Sequence, residues 1–325
     1  ISPNGQTAIL EVIEEEEKSH YIVDLQKNST DISNLQTINT ENLETYSLKW
    51  ANDNKHIIME SDQDILSIDI YRNAKYLLLK KQDGQKQIWD TDEEGFFYSL
   101  ESENNEDDST YIYSLKQYRL DSTNPRYTIE KAYFNKNTEY LKHYRENGED
   151  YPEFTSSPES TQTMGQIIYF RVSQKAQGVY IQTDTSAYWY DIPEKKYRMV
   201  SPYPASLIEF STDFKKLIFL NGEYYYVFTF EKEDADHTAK IGSKRVDSLQ
   251  KDSVTNISWL SNSEYLSFSR DNSVHISDKD GENDQEIINS ENILLYAVKS
   301  SRDILVTLEK NQMNNTVSIK NYRIN

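Results

Sequence analysis

Residues 254–283 read VTNISWLSNSEYLSFSRDNSVHISDKDGEN and contain three short apolar strands. The first strand ends at Trp259 and is followed by the turn Ser261-Asn262-Ser263, and the third ends at Asp278 shortly before Asp280-Gly281. β-branched and aromatic residues fit a pleated sheet, whereas Asn, Asp, Ser and Gly favour turns. This segment therefore predicts a small antiparallel sheet whose strands are joined by tight turns.

The same order of turn and strands recurs along the chain. Near the N-terminus, the turn Ser2-Pro3-Asn4-Gly5 precedes an apolar strand, and a second strand ends at Asp24. Further turns are predicted at residues 52–54, 94–95, 135–137 and 211–213. Successive turns lie about 38 to 49 residues apart, which is the length of one blade of a β-propeller.

We therefore predict an all-β fold, a β-propeller of about eight four-stranded antiparallel blades, with seven blades as the alternative. A single sheet of this size cannot bury both of its faces, but sheets stacked radially can. Long stripes of apolar residues with a period of 3.6 are missing from the sequence, which disfavours a helical fold. Residues 235–251 are predicted to form a short helix or a long loop.

The turns and strand ends resemble those of the TolB-type, WD-repeat-like propeller family. Repeats of that family carry a Ser-Pro-Asp-Gly-Lys turn, an aromatic-x-aliphatic-x-Asp strand and an Asp-Gly turn. Ser2-Pro3-Asn4-Gly5-Gln6 matches the first motif with Asn for Asp and Gln for Lys, and Tyr21-Ile22-Val23-Asp24 matches the second. Trp259 with Ser261-Asn262-Ser263 and the Asp280-Gly281 pair match a later copy. The resemblance covers two or three units and implies a binding scaffold, often of a bacterial envelope, with no catalytic residues to carry over.

The composition excludes several classes of function. The sequence has 54 Asp and Glu against 35 Lys and Arg, a formal net charge of −19, which repels nucleic acid and anionic lipid. It has no Cys, so thiol nucleophiles, zinc fingers and iron–sulfur ligation are excluded. No apolar run approaches the roughly 18–20 residues of a membrane span, so we expect no membrane insertion by this segment. We expect residues 1–325 to form a single propeller domain and to be a fragment of a longer protein.

Two acidic segments have features of a cation site. Asp90-Thr91-Asp92-Glu93-Glu94-Gly95, followed by Glu101, has the spacing of a calcium-binding loop, with oxygens at positions 1, 3 and 5 and a carboxylate at position 12. In so acidic a chain, this spacing can arise by chance. We therefore favour a solvated acidic turn over a calcium-binding loop. The segment from Asp278 to Asp284 has its Gly two places too early, and we expect a hairpin turn there.

The remaining candidate residues do not form a recognisable site. The acidic runs 14–17 and 101–108 are expected to be solvated loop tips. The five His show no metal-binding spacing, and the nine Gly form neither an esterase elbow nor a phosphate loop. Aromatic residues at 188–190, 203 and 224–228 are expected to lie mainly in the core rather than on a binding surface. The sequence thus assigns no catalytic, cofactor-binding or metal-binding residue and implies no cofactor.

We therefore expect a non-enzymatic scaffold of a bacterial envelope or secreted protein, a monomer that binds another protein or a surface glycan. The alternative is an enzyme, either a hydrolase or lyase with its site at the propeller channel, or the gating propeller of a larger peptidase. A subunit held in an assembly by its acidic face is a third possibility. An enzyme predicts converging groups of shifted pKa, whereas a binding module predicts an exposed apolar or aromatic patch.

Overall fold

The computed structural model describes most of the chain. The described residues are 2–3, 6–14, 17–24, 36–38, 46–81, 88–103, 110–122, 125–135, 141, 145, 153–154, 165–173, 178–230, 242–271, 273–289, 293–299, 304–311 and 316–323. They form 27 strands in seven antiparallel sheets.

The N-terminal half holds the first three sheets. Sheet 1 contains β1 (Thr7–Glu14), β2 (Glu17–Asp24) and β3 (Gln36–Ile38). Sheet 2 contains β4 (Tyr46–Trp50), β5 (His56–Ser61), β6 (Asp64–Asp69) and β7 (Ala74–Lys80). Sheet 3 contains β8 (Ile88–Thr91), β9 (Phe96–Glu103), β10 (Thr110–Arg119) and β11 (Pro125–Asn135). In each of these sheets, every strand pairs with the next strand along the chain.

The remaining four sheets follow the same plan with one addition. Sheet 4 contains β12 (Glu153–Phe154), β13 (Ile167–Val172), β14 (Gly178–Thr183), β15 (Ala187–Asp191) and β16 (Lys196–Ser201), and β12 pairs with β16. Sheet 5 contains β17 (Ser206–Phe210), β18 (Lys216–Asn221), β19 (Tyr224–Thr229) and β20 (Gly242–Gln250). Sheet 6 contains β21 (Thr255–Trp259), β22 (Tyr265–Arg270), β23 (Ser273–Asp278) and β24 (Gln285–Asn289). Sheet 7 contains β25 (Ile293–Lys299), β26 (Ile304–Asn311) and β27 (Thr316–Arg323).

A common turn follows the first strand of several sheets, and in sheet 4 we count β13 as the first strand because the two-residue β12 lies at the opposite edge. It is closed by a hydrogen bond from a backbone N–H to the carbonyl oxygen five residues later, at 2.9 Å, from Ala51 to His56, from Ser211 to Lys216 and from Leu260 to Tyr265. Similar bonds close the turns that start at Ser2, Asp92 and Ser173. The fourth residue has a positive φ in three turns: Asn54 (60°), Phe214 (59°) and Ser263 (59°). The turns predicted at 52–54, 94–95, 211–213 and 261–263 are therefore confirmed.

The sheets bury both faces, because alternate residues of one strand pack against different neighbours. On β5, Ile57 and Met59 belong to a core cluster with Ile38 of sheet 1, whereas Ile58 packs with Phe97 of sheet 3. A further cluster joins sheets 5 and 6 and includes Ile218, Val227, Val246, Trp259, Leu266 and Phe268. The first strands also contact each other, β8 with β13, β17 with β21 and β21 with β25. First strands therefore meet in three pairs of sheets: 3 with 4, 5 with 6, and 6 with 7.

The density of contacts divides the chain into two compact units. Unit 1 consists of Ile1–Asn137, Thr155–Val179 and Tyr190–Lys196. Unit 2 consists of Thr138–Phe154, Tyr180–Trp189 and Tyr197–Asn325. The expectation of one domain over residues 1–325 stays a prediction.

The structure confirms the all-β prediction and corrects two of its details. Residues 135–137 were expected to be the turn of a separate unit, but Asn135 is the last residue of β11, which pairs with β10 and completes sheet 3, and residues 136–137 lie outside the described residues. Residues 235–251 were expected to form a helix or a loop, but β20 covers 242–250 and pairs with β19. Seven of the eight predicted units correspond to a sheet among the described residues, and the blade count of the whole chain stays a prediction. No helix within the described ranges is long and apolar enough to span a membrane.

Candidate functional site

Three consecutive sheets carry a charged side chain at the same position of their first strand. Lys49 on β4, Asp90 on β8 and Arg171 on β13 each lie two residues before the start of the common turn. The shared turn therefore places them in equivalent positions on neighbouring first strands. We call these three residues the charged cluster, and all three belong to unit 1.

Asp90 is the buried member of the charged cluster, with only 4% of its surface exposed. Its Oδ2 accepts a hydrogen bond of 2.9 Å from the backbone N–H of Val172, which joins β8 to β13. The same oxygen lies 3.9 Å from Nε of Arg171. Burial raises the pKa of Asp90 above 3.8, although Arg171, Lys49 and the N–H of Val172 act in the opposite direction. Burial thus makes the ionised carboxylate costly, and the two cations offset only part of that cost.

The two cations of the charged cluster are exposed to solvent. The side chain of Arg171 is 47% exposed, and Lys49 is also an exposed residue. Lys49 Nζ lies 4.8 Å from the centre of the Trp89 ring, a cation–π distance. Trp89 is fixed in turn, because its Nε1 donates to Glu60 Oε2 at 2.9 Å and its ring stacks on Phe97. The ammonium group of Lys49 is therefore held above a rigid aromatic surface.

Tyr169 adds a phenol to the charged cluster. It lies two residues before Arg171 on β13, so both side chains are on the same face of that strand. Burial raises the pKa of Tyr169, the nearby charge of Asp90 raises it further, and Arg171 opposes both effects. The phenol therefore stays neutral at physiological pH and can both donate and accept hydrogen bonds.

Sheet 5, which lies in unit 2, also carries a carboxylate at the equivalent position of its first strand. Glu209 on β17 lies two residues before the turn that starts at Ser211. Its Oε2 accepts hydrogen bonds of 2.9 Å from the backbone N–H of Trp259 and from Ser258 Oγ on β21. Glu209 therefore binds the next first strand as Asp90 does, and carboxylates at this position hold neighbouring sheets together.

The carboxylates of the loop with calcium-binding spacing accept hydrogen bonds from different donors. Asp92 Oδ1 accepts from the backbone N–H of Glu94 and of Phe96, and its Oδ2 accepts from the Tyr98 hydroxyl at 2.7 Å. Glu101 accepts from Lys116 Nζ and from the Tyr118 hydroxyl instead. Within the described ranges, no three His, Cys, Asp or Glu side chains group closely enough to hold a metal ion.

The expected solvated character of these acidic segments needs correction. Asp90 and Asp92 are buried, because the turn and the next sheet supply donors to their carboxylates, and only Glu93 and Glu94 are exposed. Glu101 also departs from the expected loop tip, since it lies on β9 in an ion pair with Lys116. Residues 15–16 and 104–108 of the acidic runs lie outside the described residues.

The hairpin at Asp278 is confirmed. The N–H of Gly281 donates to the carbonyl of Asp278 at 2.9 Å, and Gly281 has a φ of +78° between β23 and β24. Asp278 also accepts hydrogen bonds from the N–H of Glu282 and from the Asn283 side chain. The carboxylate of Asp278 therefore serves the turn.

The aromatic segments lie mainly in the core, as expected. Tyr188, Trp189 and Tyr190 are buried, and residues 224–228 are buried or half-buried. Tyr203 is the exception at 41% exposed, and the Arg145 guanidinium lies 4.8 Å from the centre of its ring. Other exposed large hydrophobic residues are spread over sheets 1, 2, 4 and 6: Leu10, Tyr71, Ile168, Tyr265 and Ile287.

Three of the five His each pair with a carboxylate. His56 Nδ1 lies 2.6 Å from Asp53 Oδ2, and the other two pairs are His20 with Glu11 at 3.0 Å and His275 with Asp284 at 2.8 Å. His143 and His237 lie outside the described residues. These pairs join neighbouring positions of one sheet or turn, so they stabilise local structure.

The sequence interpretation missed the charged cluster. Its three members come from three different sheets, and nothing in the local sequence of any one of them indicates a site. The available signal was the turn itself, because counting two residues back from each turn start gives Lys49, Asp90 and Arg171. That alignment requires the turns to be superposed first. Of the three residues, the sequence interpretation considered only Asp90, as a calcium ligand.

No protein-family model matches the sequence, and no curated protein matches it. Among the solved structures that match its fold are two that do so over nearly the whole chain. The first is the oligogalacturonate lyase of Vibrio parahaemolyticus, with a TM-score of 0.54 and 7% identity over 100% of this chain and 88% of that chain. The second is dipeptidyl peptidase 4 of Porphyromonas gingivalis, with a TM-score of 0.53 and 10% identity over 99% of this chain and 50% of that chain.

The fold is a β-propeller. At these low identities, the matches show the fold of the propeller and nothing about its activity. A TolB candidate from Agrobacterium tumefaciens also matches, at 8% identity over 89% of this chain and 85% of that chain, but its TM-score of 0.38 carries no argument. The resemblance to TolB-type, WD-repeat-like propellers is confirmed at the level of the fold.

Proposed function

We propose that this propeller is a non-enzymatic binding scaffold and that it contacts its ligand or partner through the charged side chains on its first strands. The charged cluster is the observation that carries this proposal. Its carboxylate is buried and bonded to the next sheet, while its two cations are exposed. A propeller of net charge −19 that exposes a lysine and an arginine on either side of a buried carboxylate offers a distinct point of recognition.

The surroundings of the cluster favour binding because they are rigid. Asp90 ties β8 to β13, and the side-chain hydroxyl of Thr91 accepts a hydrogen bond of 3.0 Å from the N–H of Asn52. These bonds join sheets 2, 3 and 4 at the ends of their first strands. The backbone that carries these side chains is therefore ordered before a ligand binds, so less of the interaction energy is lost to ordering the site.

We also propose a class of partner and a cellular compartment for this protein. The acidic surface disfavours nucleic acid, and we propose another protein or a surface glycan as the partner of a monomeric propeller. The resemblance stated from the sequence favours a bacterial envelope or secreted protein. The match to dipeptidyl peptidase 4 spans half of that chain, which is consistent with a propeller that works beside another domain.

One observation favours an enzyme as the second candidate. Burial raises the pKa values of both Asp90 and Tyr169, and Arg171 lies close to both groups. Acids with raised pKa values beside a cation are typical of acid–base catalysis. A hydrolase or lyase with its reactive groups at the charged cluster is therefore the alternative function.

A titration with analysis of the recovered probe separates the two candidates. Neutral oligosaccharides, acidic oligosaccharides and short peptides with free or amidated C-termini are titrated into the protein by calorimetry, and each probe is then recovered for mass spectrometry. Binding of at least one probe that is recovered unchanged supports the scaffold. Conversion of a probe that is lost in Asp90→Asn supports the enzyme.

Variants locate the binding. The double variant Lys49→Met with Arg171→Met should raise the dissociation constant of the bound probe by about tenfold or more, because each charge-assisted hydrogen bond contributes substantially to the free energy of binding. The control is Lys75→Met, which removes an exposed Lys from β7 at the other edge of sheet 2. Absence of binding by every probe, or equal binding by the double variant, would refute the proposal.

A further inference from the structure

We infer that one buried water molecule binds between His56 and Ser67, on neighbouring strands of sheet 2. This site uses none of the residues of the charged cluster, and its occupancy does not depend on the proposed function. Three observations carry the inference. Two buried polar atoms have no partner among the described residues, the strand register places their side chains on one face, and the serine stands where other sheets have an apolar residue.

The two polar atoms are Nε2 of His56 and Oγ of Ser67. Both are buried, and neither has a hydrogen-bond partner among the residues that the structure describes. His56 is only 8% exposed, and Ser67 is completely buried. Leaving a buried donor or acceptor unpaired is costly, so such atoms are nearly always bonded to protein or to ordered water.

The carboxylate of Asp53 determines which nitrogen of His56 carries the hydrogen. Its Oδ2 lies 2.6 Å from Nδ1 of His56, and its Oδ1 accepts the backbone N–H groups of Lys55 and His56. Burial raises the pKa of Asp53, but the interactions with His56 and the N–H of Lys55 together lower it below 3.8. Asp53 is therefore an ionised acceptor. Nδ1 carries the hydrogen, and Nε2 of the neutral ring is left as an acceptor.

The register of β5 and β6 brings the two side chains to one face of sheet 2. His56 lies opposite Asp69, and Ile58 lies opposite Ser67. Opposite residues and alternate residues of a strand point to the same face, so His56 and Ser67 are diagonal neighbours. Diagonal neighbours lie about 7–8 Å apart, within reach of an aromatic side chain. This spacing suits a bridge of one water molecule between the imidazole ring and the short serine side chain.

Ser67 stands at a position that is apolar in other sheets. The equivalent strand pairs of sheets 5 and 6 place Val227 and Ile276 there. Both residues are larger than serine, so a serine at this position leaves room for a small molecule. Its hydroxyl also needs a partner that the neighbouring apolar residues do not supply. Ile58, opposite Ser67, packs with Phe97 of sheet 3, so the site lies in the interior between these two sheets.

Water has the donors and the acceptor that this site requires. It can donate one hydrogen to Nε2 of His56 and accept the hydroxyl hydrogen of Ser67. Its second hydrogen can be donated to Oδ2 of Asp69, which lies 3.7 Å from Nε of the exposed Arg72, while Oδ1 already accepts two backbone N–H groups. Three hydrogen bonds are typical of a buried water. The water would thus join β5 to β6 and hold the imidazole ring in place.

Crystallography of the full chain tests the inference directly. We expect one ordered water within about 2.5–3.2 Å of both Nε2 of His56 and Oγ of Ser67. In solution, the magnetic relaxation dispersion of water counts the internal water molecules that exchange slowly. Ser67→Val introduces the residue of sheet 5, removes the hydroxyl and fills the space. This variant should lower the count by one water molecule.

Ser277→Val is the matched control in sheet 6. Ser277 is also completely buried, but its hydroxyl already donates to the carbonyl oxygen of Asp278 at 3.1 Å. The control should leave the count of internal water molecules unchanged. Circular dichroism confirms that both variants are folded. If Ser67→Val does not fold, the crystal structure of the wild type decides the question alone.

Three results would overturn the inference. A direct hydrogen bond between the hydroxyl of Ser67 and Nε2 of His56 leaves no place for a bridging molecule. Anomalous scattering from the site shows a bound metal ion instead of water. An equal count of internal water molecules in the wild type and in Ser67→Val excludes a slowly exchanging water at this position.

Discussion

Gly281 gives the sharpest test of how sheets 5 and 6 pack. It lies in the turn between β23 and β24 of sheet 6 with a φ of +78°. A Cβ atom placed on this glycine would lie 2.6 Å from Cγ1 of Val246 and still closer to Oγ of Ser248, both on β20 of sheet 5. Gly281→Ala therefore forces a left-handed backbone on alanine and also pushes the turn away from sheet 5.

The size of the effect follows from these two costs. A left-handed backbone costs an alanine about 1–2 kcal/mol, and overpacking costs about 1–3 kcal/mol. We expect Gly281→Ala to lower the free energy of unfolding by about 2–5 kcal/mol. Gly222 is the matched control, because its φ is +61° and a Cβ there would have no atom within 4 Å. Gly222→Ala should cost only the backbone part, about 1–2 kcal/mol.

Urea unfolding followed by circular dichroism measures both variants, and the dependence of the free energy on urea should not change. The difference between them isolates the contact of the turn with sheet 5. The same substitution made in a Ser248→Ala background should cost less, because the closest atom is gone. Equal effects of Gly281→Ala and Gly222→Ala would show that the turn does not pack tightly on β20 and would refute the reasoning.

Three further predictions concern charged groups, and urea unfolding measures all of them. Glu209→Ala should lower the free energy of unfolding by about 2–3 kcal/mol, because the N–H of Trp259 loses its acceptor. Glu209→Gln keeps an acceptor and should cost about 1 kcal/mol. Equal costs of the two variants would contradict the hydrogen bond. Lys216 is only 2% exposed, but its partner Glu264 is 46% exposed and can be hydrated. The free energy of unfolding of Lys216→Met should therefore stay within about 1 kcal/mol of the wild-type value. Lys216→Ala leaves a cavity where the aliphatic part of the lysine was, and should cost about 2–4 kcal/mol. The reverse order would show that the ion pair dominates. Burial raises the pKa of Asp90 in the folded state above the unfolded value of 3.8, so its contribution to stability is fully present below that pH and is lost as the pH rises through the folded pKa. The wild type should accordingly lose stability relative to Asp90→Asn as the pH rises above 3.8, and a difference that is constant with pH would contradict the raised pKa.

The local features of the fold could be predicted because they depend on a few adjacent residues. The turn at Ser261-Asn262-Ser263 follows from its run of polar turn-forming residues, and the hairpin at Asp280-Gly281 follows from a glycine that accepts positive φ. Pairing could not be predicted in the same way. The apolar residues at 129–134 identify a strand, but nothing local shows that it pairs with β10 to complete sheet 3. β20 was missed because, among its nine residues, only Val246 and Leu249 are buried.

The same limit applies to the charged residues. The composition predicts that carboxylates are solvated, and this holds for Glu93 and Glu94. Asp92 is buried because three donors of the folded chain meet its carboxylate: the N–H groups of Glu94 and Phe96 and the hydroxyl of Tyr98. These donors come together only when β9 has formed. A count of charges therefore describes the surface correctly and fails where the fold supplies partners.

The chemistry of one strand position explains why its acids and its bases have different roles. Asp90 and Glu209 accept the backbone N–H of the next first strand, so an acid at this position joins two sheets. Lys49 and Arg171 have only donors and cannot accept that N–H, so a base there cannot make the same connection. Both bases are exposed residues. Loss of an acid at this position should therefore appear first in stability, and loss of a base should appear first in binding.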